Sequence, residues 1–136
     1  MFKKLFSSLA LILAASSVNA ELIVIVNKDN ANALDSKLVQ RIFLGKTKKF
    51  GDGSPTIPVN QSADSAIRQS FDETVVGRSS SQVSAYWSKL VFTGKGIPPK
   101  EVSSDAEVID LVTKNPSVIG YIDSSSLTDS VKAVNL

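Results

Sequence analysis

The sequence predicts an α/β domain. Two continuous apolar runs, LIVIV at 22–26 and VIGYI at 118–122, read as strands buried on both faces. Between them, apolar residues recur at helical spacing in several segments, each with its own capping signals. Strands and helices that alternate in this way build layers around one sheet.

The elements follow in order. After LIVIV comes the polar loop NKDNANALDS, in which Asp35 or Ser36 caps a helix carrying Leu38, Val39, Ile42 and Phe43. Gly45 ends it. KTKKFGDGSP is a basic, glycine-rich turn, with Asp52-Gly53 and Ser54-Pro55 as its strongest signals. TIPVN is a short strand; its proline places it at an edge or at the end of a strand. Small polar residues then lead into a helix with Ala66, Ile67, Phe71 and Val75 on one face, ending near Gly77.

Ser79 to Ser81 cap the next helix, whose Val83, Tyr86, Trp87, Leu90 and Val91 form a broad apolar stripe. TGKGIPP is a loop. Ser104 and Glu107 have the spacing of a capping box before a helix bearing Val108, Ile109, Leu111 and Val112, which Asn115-Pro116 breaks. VIGYI, the polar turn DSSSLTDS and a last strand VKAVN complete the order β-α-β-α-α-α-β-β.

The first twenty residues read differently. MFKK is a positive n-region, LFSSLALILAASS has the length of a signal-peptide core, and Val18-Asn19-Ala20 offers small residues for cleavage after Ala20. The expected organisation is a signal peptide at 1–20 and one domain at 21–136, exported to a bacterial periplasm with no membrane span in its mature form. The whole chain holds 15 basic and 13 acidic residues; without Lys3 and Lys4 the two signs balance at 13 each. A neutral chain argues against nucleic acid as a partner. The absence of Cys removes disulfides and thiol catalysis, and the absence of His removes Ser-His-Asp triads and the usual zinc sites. No cofactor is implied, and an enzyme is not expected.

IFLGK at 42–46, GDG at 51–53 and NPSVIGYI at 115–122, with YWSKLVFTGKG between, form a set that resembles periplasmic phosphate-binding proteins of ABC transporters. The resemblance covers residues 21–136. It implies a single lobe of a periplasmic-binding-protein fold of type II-like architecture, a small mixed sheet flanked by helices. It also implies that the runs at 22–26 and 118–122 are the strands where the chain enters and leaves a lobe. Those strands are then candidate edges for pairing with a partner.

In that family the strand-to-helix turn carries a segment similar to R-x-D-G-S-G-T-R-x-x-F, whose N–H groups and hydroxyls hold phosphate at a helix N-terminus. The physical basis is the unpaired N–H groups and positive dipole end of a first helical turn. Here the turn reads Gln61, Ser62, Ala63, Asp64, Ser65, Ala66, Ile67, Arg68, with Phe71 beyond. Ser65, Arg68 and Phe71 match the pattern. Gln61 replaces a cation, Ala66 a glycine and Ile67 a threonine, and Asp64 adds a carboxylate where a dianion would sit. The candidate ligand-binding residues are Ser62, Asp64, Ser65, Ala66, Ile67 and Arg68. The ligand implied is inorganic phosphate or a similar oxyanion, held at micromolar affinity or weaker because the opposite lobe is missing. A protein partner or a second copy would be needed to close the site.

Each singled-out residue also has a plainer reading. Ser65 and Arg68 fit a capped surface helix with an exposed arginine. Lys46, Lys48 and Lys49 fit a solvated turn as well as an anion-steering rim. Tyr86 and Trp87 fit core packing as well as an interface, and Gly120-Tyr121 fits a tightly packed strand. The competing functional reading is a ligand-free interaction or scaffold component of a cell-envelope machine.

Overall fold

The structure, a computed structural model, describes residues 21–136; the signal-peptide reading of residues 1–20 lies outside the described residues. One five-stranded sheet organises the chain. Its strands are β1 (Leu22–Asn27), β2 (Ile57–Gln61), β3 (Lys100–Val102), β4 (Val118–Asp123) and β5 (Val131–Val134), in the order β3-β2-β4-β1-β5. β2 is parallel to β3 and β4, whereas β1 is antiparallel to both its neighbours, β4 and β5. The sheet is therefore mixed, and Val24 faces Tyr121 on one side and Val134 on the other.

Among the described residues, four α-helices cover it: α1 (Ser36–Phe43), α2 (Ala66–Phe71), α3 (Ser80–Phe92) and α4 (Asp105–Lys114). Alternation along the strands separates two cores. Val24, Val26, Ile119 and Tyr121 point to one face and pack with Val39, Phe43, Phe71, Val83 and Trp87 of α1, α2 and α3. Ile25, Val118 and Ile122 point to the other face and pack with Val108 and Val112 of α4. Each such fully buried side chain contributes about 1.5–3 kcal/mol through removal from water. Gly120 is required by this packing, because a β-carbon there would lie 2.5 Å from Val108 Cγ1. Asn27 ties β1 to the end of α4, its amide donating to the carbonyls of Val112 at 2.9 Å and Thr113 at 3.1 Å.

The expected caps are present at α1, where Asp35 Oδ1 accepts from Leu38 N, and at α3, where Ser79 and Gln82 form a full capping box. At α4 the box is only half formed. Ser104 Oγ accepts from Glu107 N, but the Glu107 carboxylate accepts from Ser103 N instead. Asn115 and Pro116 follow the end of α4, as the sequence implied.

Three expectations are corrected. β1 and β4 are interior strands hydrogen-bonded on both sides, so neither is a free pairing edge. Their continuous apolar character already required cover on both faces, and their backbones are used up within this one sheet. β2 is also interior, between β3 and β4. Pro58 is tolerated there because β3 is short and pairs only with Val59–Gln61, leaving the Pro58 side of the strand unpaired at that edge. β3 itself, KEV after two prolines, carries too little apolar pattern to be read from the sequence.

Candidate functional site

The turn from β2 to α2 is built as a cap. Ser65 is the N-cap of α2, and its Oγ accepts from Arg68 N at 3.3 Å while donating to the Ser62 carbonyl at 2.7 Å. Ser65 N also donates to Ser62 O, which closes the turn. Asp64 and Ala66 are exposed, and Ser62 and Ile67 are half-buried. The sequence-predicted residues Ser62, Asp64, Ser65, Ala66 and Ile67 thus sit together around one open turn. The first-turn N–H groups of Ala66 and Ile67 stand where a helix lacks internal acceptors.

Arg68 lies apart from that surface. Its side chain is buried and its guanidinium is engaged three times: Nε to Asp72 Oδ2 at 2.8 Å, Nη1 to Gln61 O at 2.9 Å, and Nη1 to Glu101 Oε1 at 3.0 Å. Burial pushes the guanidinium toward the neutral form, but Asp72 and Glu101 outweigh it and hold its pKa above the ordinary value. Asp72 is wholly buried; its Oδ2 also accepts from Ser80 Oγ at 2.8 Å, while Oδ1 has no partner. The cluster therefore links α2 to the start of α3 and to β3.

α2 does not end at Phe71 but continues as a π-helical turn, Asp72–Val76, closed by Gly77 in the left-handed region at φ 78°. The wider turn begins at the buried Asp72.

Gln61 proved more than a substitute for a cation. It is buried, and its side-chain amide donates to Asp105 Oδ1 at 2.8 Å and to the Tyr121 carbonyl at 3.0 Å. Asp105 in turn accepts from Asp123 N and Ser126 Oγ. Gln61 N donates to the Tyr121 hydroxyl at 3.0 Å, and that hydroxyl donates to Asn60 Oδ1. Burial raises the Tyr121 pKa well above that of a free phenol. Its ring stacks on Phe71 at 3.9 Å between centroids. Behind the turn, then, lies a rigid polar network that sequence reasoning missed. Its only sequence signal was the pair Asn60-Gln61 ending an otherwise apolar strand.

Lys46, Lys48 and Lys49 lie in an exposed turn. Tyr86 donates to the Leu44 carbonyl at 2.7 Å, and Trp87 belongs to the core between α1 and α3. Among the described residues, no group of three or more His, Cys, Asp or Glu side chains is placed to hold a metal, and no helix is long and apolar enough to cross a membrane.

No family model matches this chain. Its fold does match solved structures. One is described as a phosphate ABC transporter substrate-binding protein from Clostridium perfringens, solved with bound phosphate (TM-score 0.67, 23% identity over 84% of this chain and 44% of that one). A second is an ABC-type phosphate transport receptor from Vibrio cholerae (TM-score 0.65, 23% identity, 84% and 45%). A third is PstS from Borrelia burgdorferi (TM-score 0.64, 15% identity, 84% and 46%). This chain spans less than half the length of each. It has the fold of a single lobe of such phosphate-binding proteins: a mixed five-stranded sheet between helices.

Proposed function

We propose that this chain is a periplasmic binding module that takes phosphate or a similar oxyanion weakly at the turn of residues 62–68. The observation that carries the reading is the open helix start at Ser65, at the end of β2, in a fold shared with a protein solved with bound phosphate. The donors on offer are the N–H groups of Ala66 and Ile67 in the first turn of α2 and the hydroxyl of Ser62. A carboxylate-free version of such a turn is a sound anion seat.

Four features keep the affinity low. Arg68 is committed to Asp72 and Glu101. The Ser65 hydroxyl already serves the turn itself. Asp64 is exposed beside the seat and repels an anion. The seat is also open to water, where each hydrogen bond contributes about 0.5–1.5 kcal/mol. Three or four such bonds correspond to about millimolar binding, and only favourable geometry brings that to micromolar. A second copy or a protein partner that covers the turn would tighten it. Calorimetric titration of residues 21–136 with phosphate, with sulfate as control, tests this. Saturable heat with phosphate that is lost in Ser65→Ala is expected; no heat at millimolar phosphate would overturn it.

A second reading, a ligand-free interaction component of a cell-envelope machine, is favoured by one observation. Arg68, the cation that matches the family pattern, is fully occupied by the protein's own carboxylates, so the fold is complete without an anion. Silence in the same titration supports this reading.

A further inference from the structure

A groove of about 1060 Å³ runs between α3, the loop after it and the turn before β2. It is separate from the turn at 62–68 and does not depend on anion binding there. Much of its wall is apolar, with Leu44, Ile57, Trp87, Leu90 and Ile97 among its residues. Large apolar side chains stay in water along it and at its mouth: Ile97 is 89% exposed, Val91 53%, and Phe92 on the adjoining cleft 92%. A patch of this kind on a small protein marks a contact surface.

Charge narrows the occupant. Residues 21–136 are neutral overall, yet the groove is lined by Lys48, Lys95 and Lys100 and by no Asp or Glu. The backbone narrows it further. Pro98 and Pro99 lead into the edge strand β3 and carry no N–H, so an added strand would find few donors along that wall. Recognition must come from apolar anchors and from charge. The geometry points to this groove as the docking site for an acidic, apolar-anchored peptide segment of another protein. The segment's Leu or Phe side chains fill the space over Trp87, and its carboxylates face the three lysines.

Trp87 is the single tryptophan of the chain and forms part of the groove, so its emission reports occupancy. The probes are three tryptophan-free peptides: one of alternating Glu and Leu or Phe, one with Lys for every Glu, and one with Ala for every Leu or Phe. The acidic apolar peptide shifts Trp87 emission saturably, and the other two bind about tenfold weaker or less. Added salt weakens the acidic peptide. Ile97→Glu, at an exposed position that leaves folding intact by circular dichroism, weakens it by about tenfold, and Lys95→Glu with Lys100→Glu reverses the preference for peptide charge. Equal binding of acidic and basic peptides, no effect of Ile97→Glu, or no shift with any peptide overturns the assignment. Concentration-dependent dimerisation abolished by Ile97→Glu also overturns it, and gives the groove to a second copy of this chain.

Discussion

Arg68 Nε donates to Asp72 Oδ2 at 2.8 Å one helical turn along, and both side chains are buried. The pair is held from outside by Glu101 and Ser80 and from within by the Gln61 carbonyl. Breaking a buried pair by removing one member leaves an uncompensated charge in the interior. Arg68→Ala is therefore expected to destabilise the protein by about 3–5 kcal/mol, and Arg68→Met with Asp72→Leu by much less, because the second removes both charges together. Urea unfolding curves of the two variants check this. The Glu101 carboxylate is 54% exposed, and Glu101→Gln is expected to cost about 1 kcal/mol or less.

Tyr121 gives a pH dependence. Folding raises its pKa above the ordinary 10.0 because burial disfavours the phenolate. The folded state thus prefers the protonated phenol. Its contribution to stability is fully present below about pH 10 and is lost as the pH rises from there toward the folded value. Tyr121→Phe lacks this titration. Denaturation at neutral pH and at roughly pH 11 should show a smaller loss across the interval for Tyr121→Phe than for the parent. Tyr121→Phe itself starts lower, since Asn60 Oδ1 and Gln61 N lose a partner.

Gly120 tests the packing of α4 on the sheet. A methyl group at this position meets Val108 Cγ1, and the strand around it is buried. Gly120→Ala is expected to destabilise by about 1–3 kcal/mol through overpacking. Thermal melts of Gly120→Ala with and without Val108→Ala decide it, since the smaller neighbour makes room and the double variant recovers part of what the first loses.

Ser65 links stability to the proposed site. It caps α2, so Ser65→Ala is expected to cost about 1 kcal/mol, while Ser65→Asp keeps the cap and adds a charge. If phosphate sits at the turn, both variants lose it, although only one loses the cap. Comparing melting temperature with phosphate heat for the pair separates the two roles.

Much of the fold was legible. Leu22–Val26 and Val118–Ile122 announced strands covered on both faces by their unbroken apolar character, and Asp35, Ser79 and Ser104 cap at positions the sequence offers, whereas the cap of α2 is Ser65 and not the neighbouring Asp64. What was hidden was tertiary. Arg68 and Gln61 are residue types that mostly face water, and their burial depends on Glu101 and Asp105, 33 and 44 residues further along the chain. β3 escaped notice because three residues after two prolines hold too little pattern to betray a strand. Val91 belongs to the periodic stripe of α3 yet is 53% exposed. Periodicity identifies an apolar face without saying what meets it.

The central claim, weak oxyanion binding at residues 62–68, is tested most directly by amide NMR of residues 21–136 during titration with phosphate and then sulfate. The account predicts fast-exchange shifts confined to the turn, largest at Ala66 and Ile67, with a dissociation constant of roughly micromolar to millimolar. No shift at those amides, or shifts centred elsewhere in the chain, would contradict it.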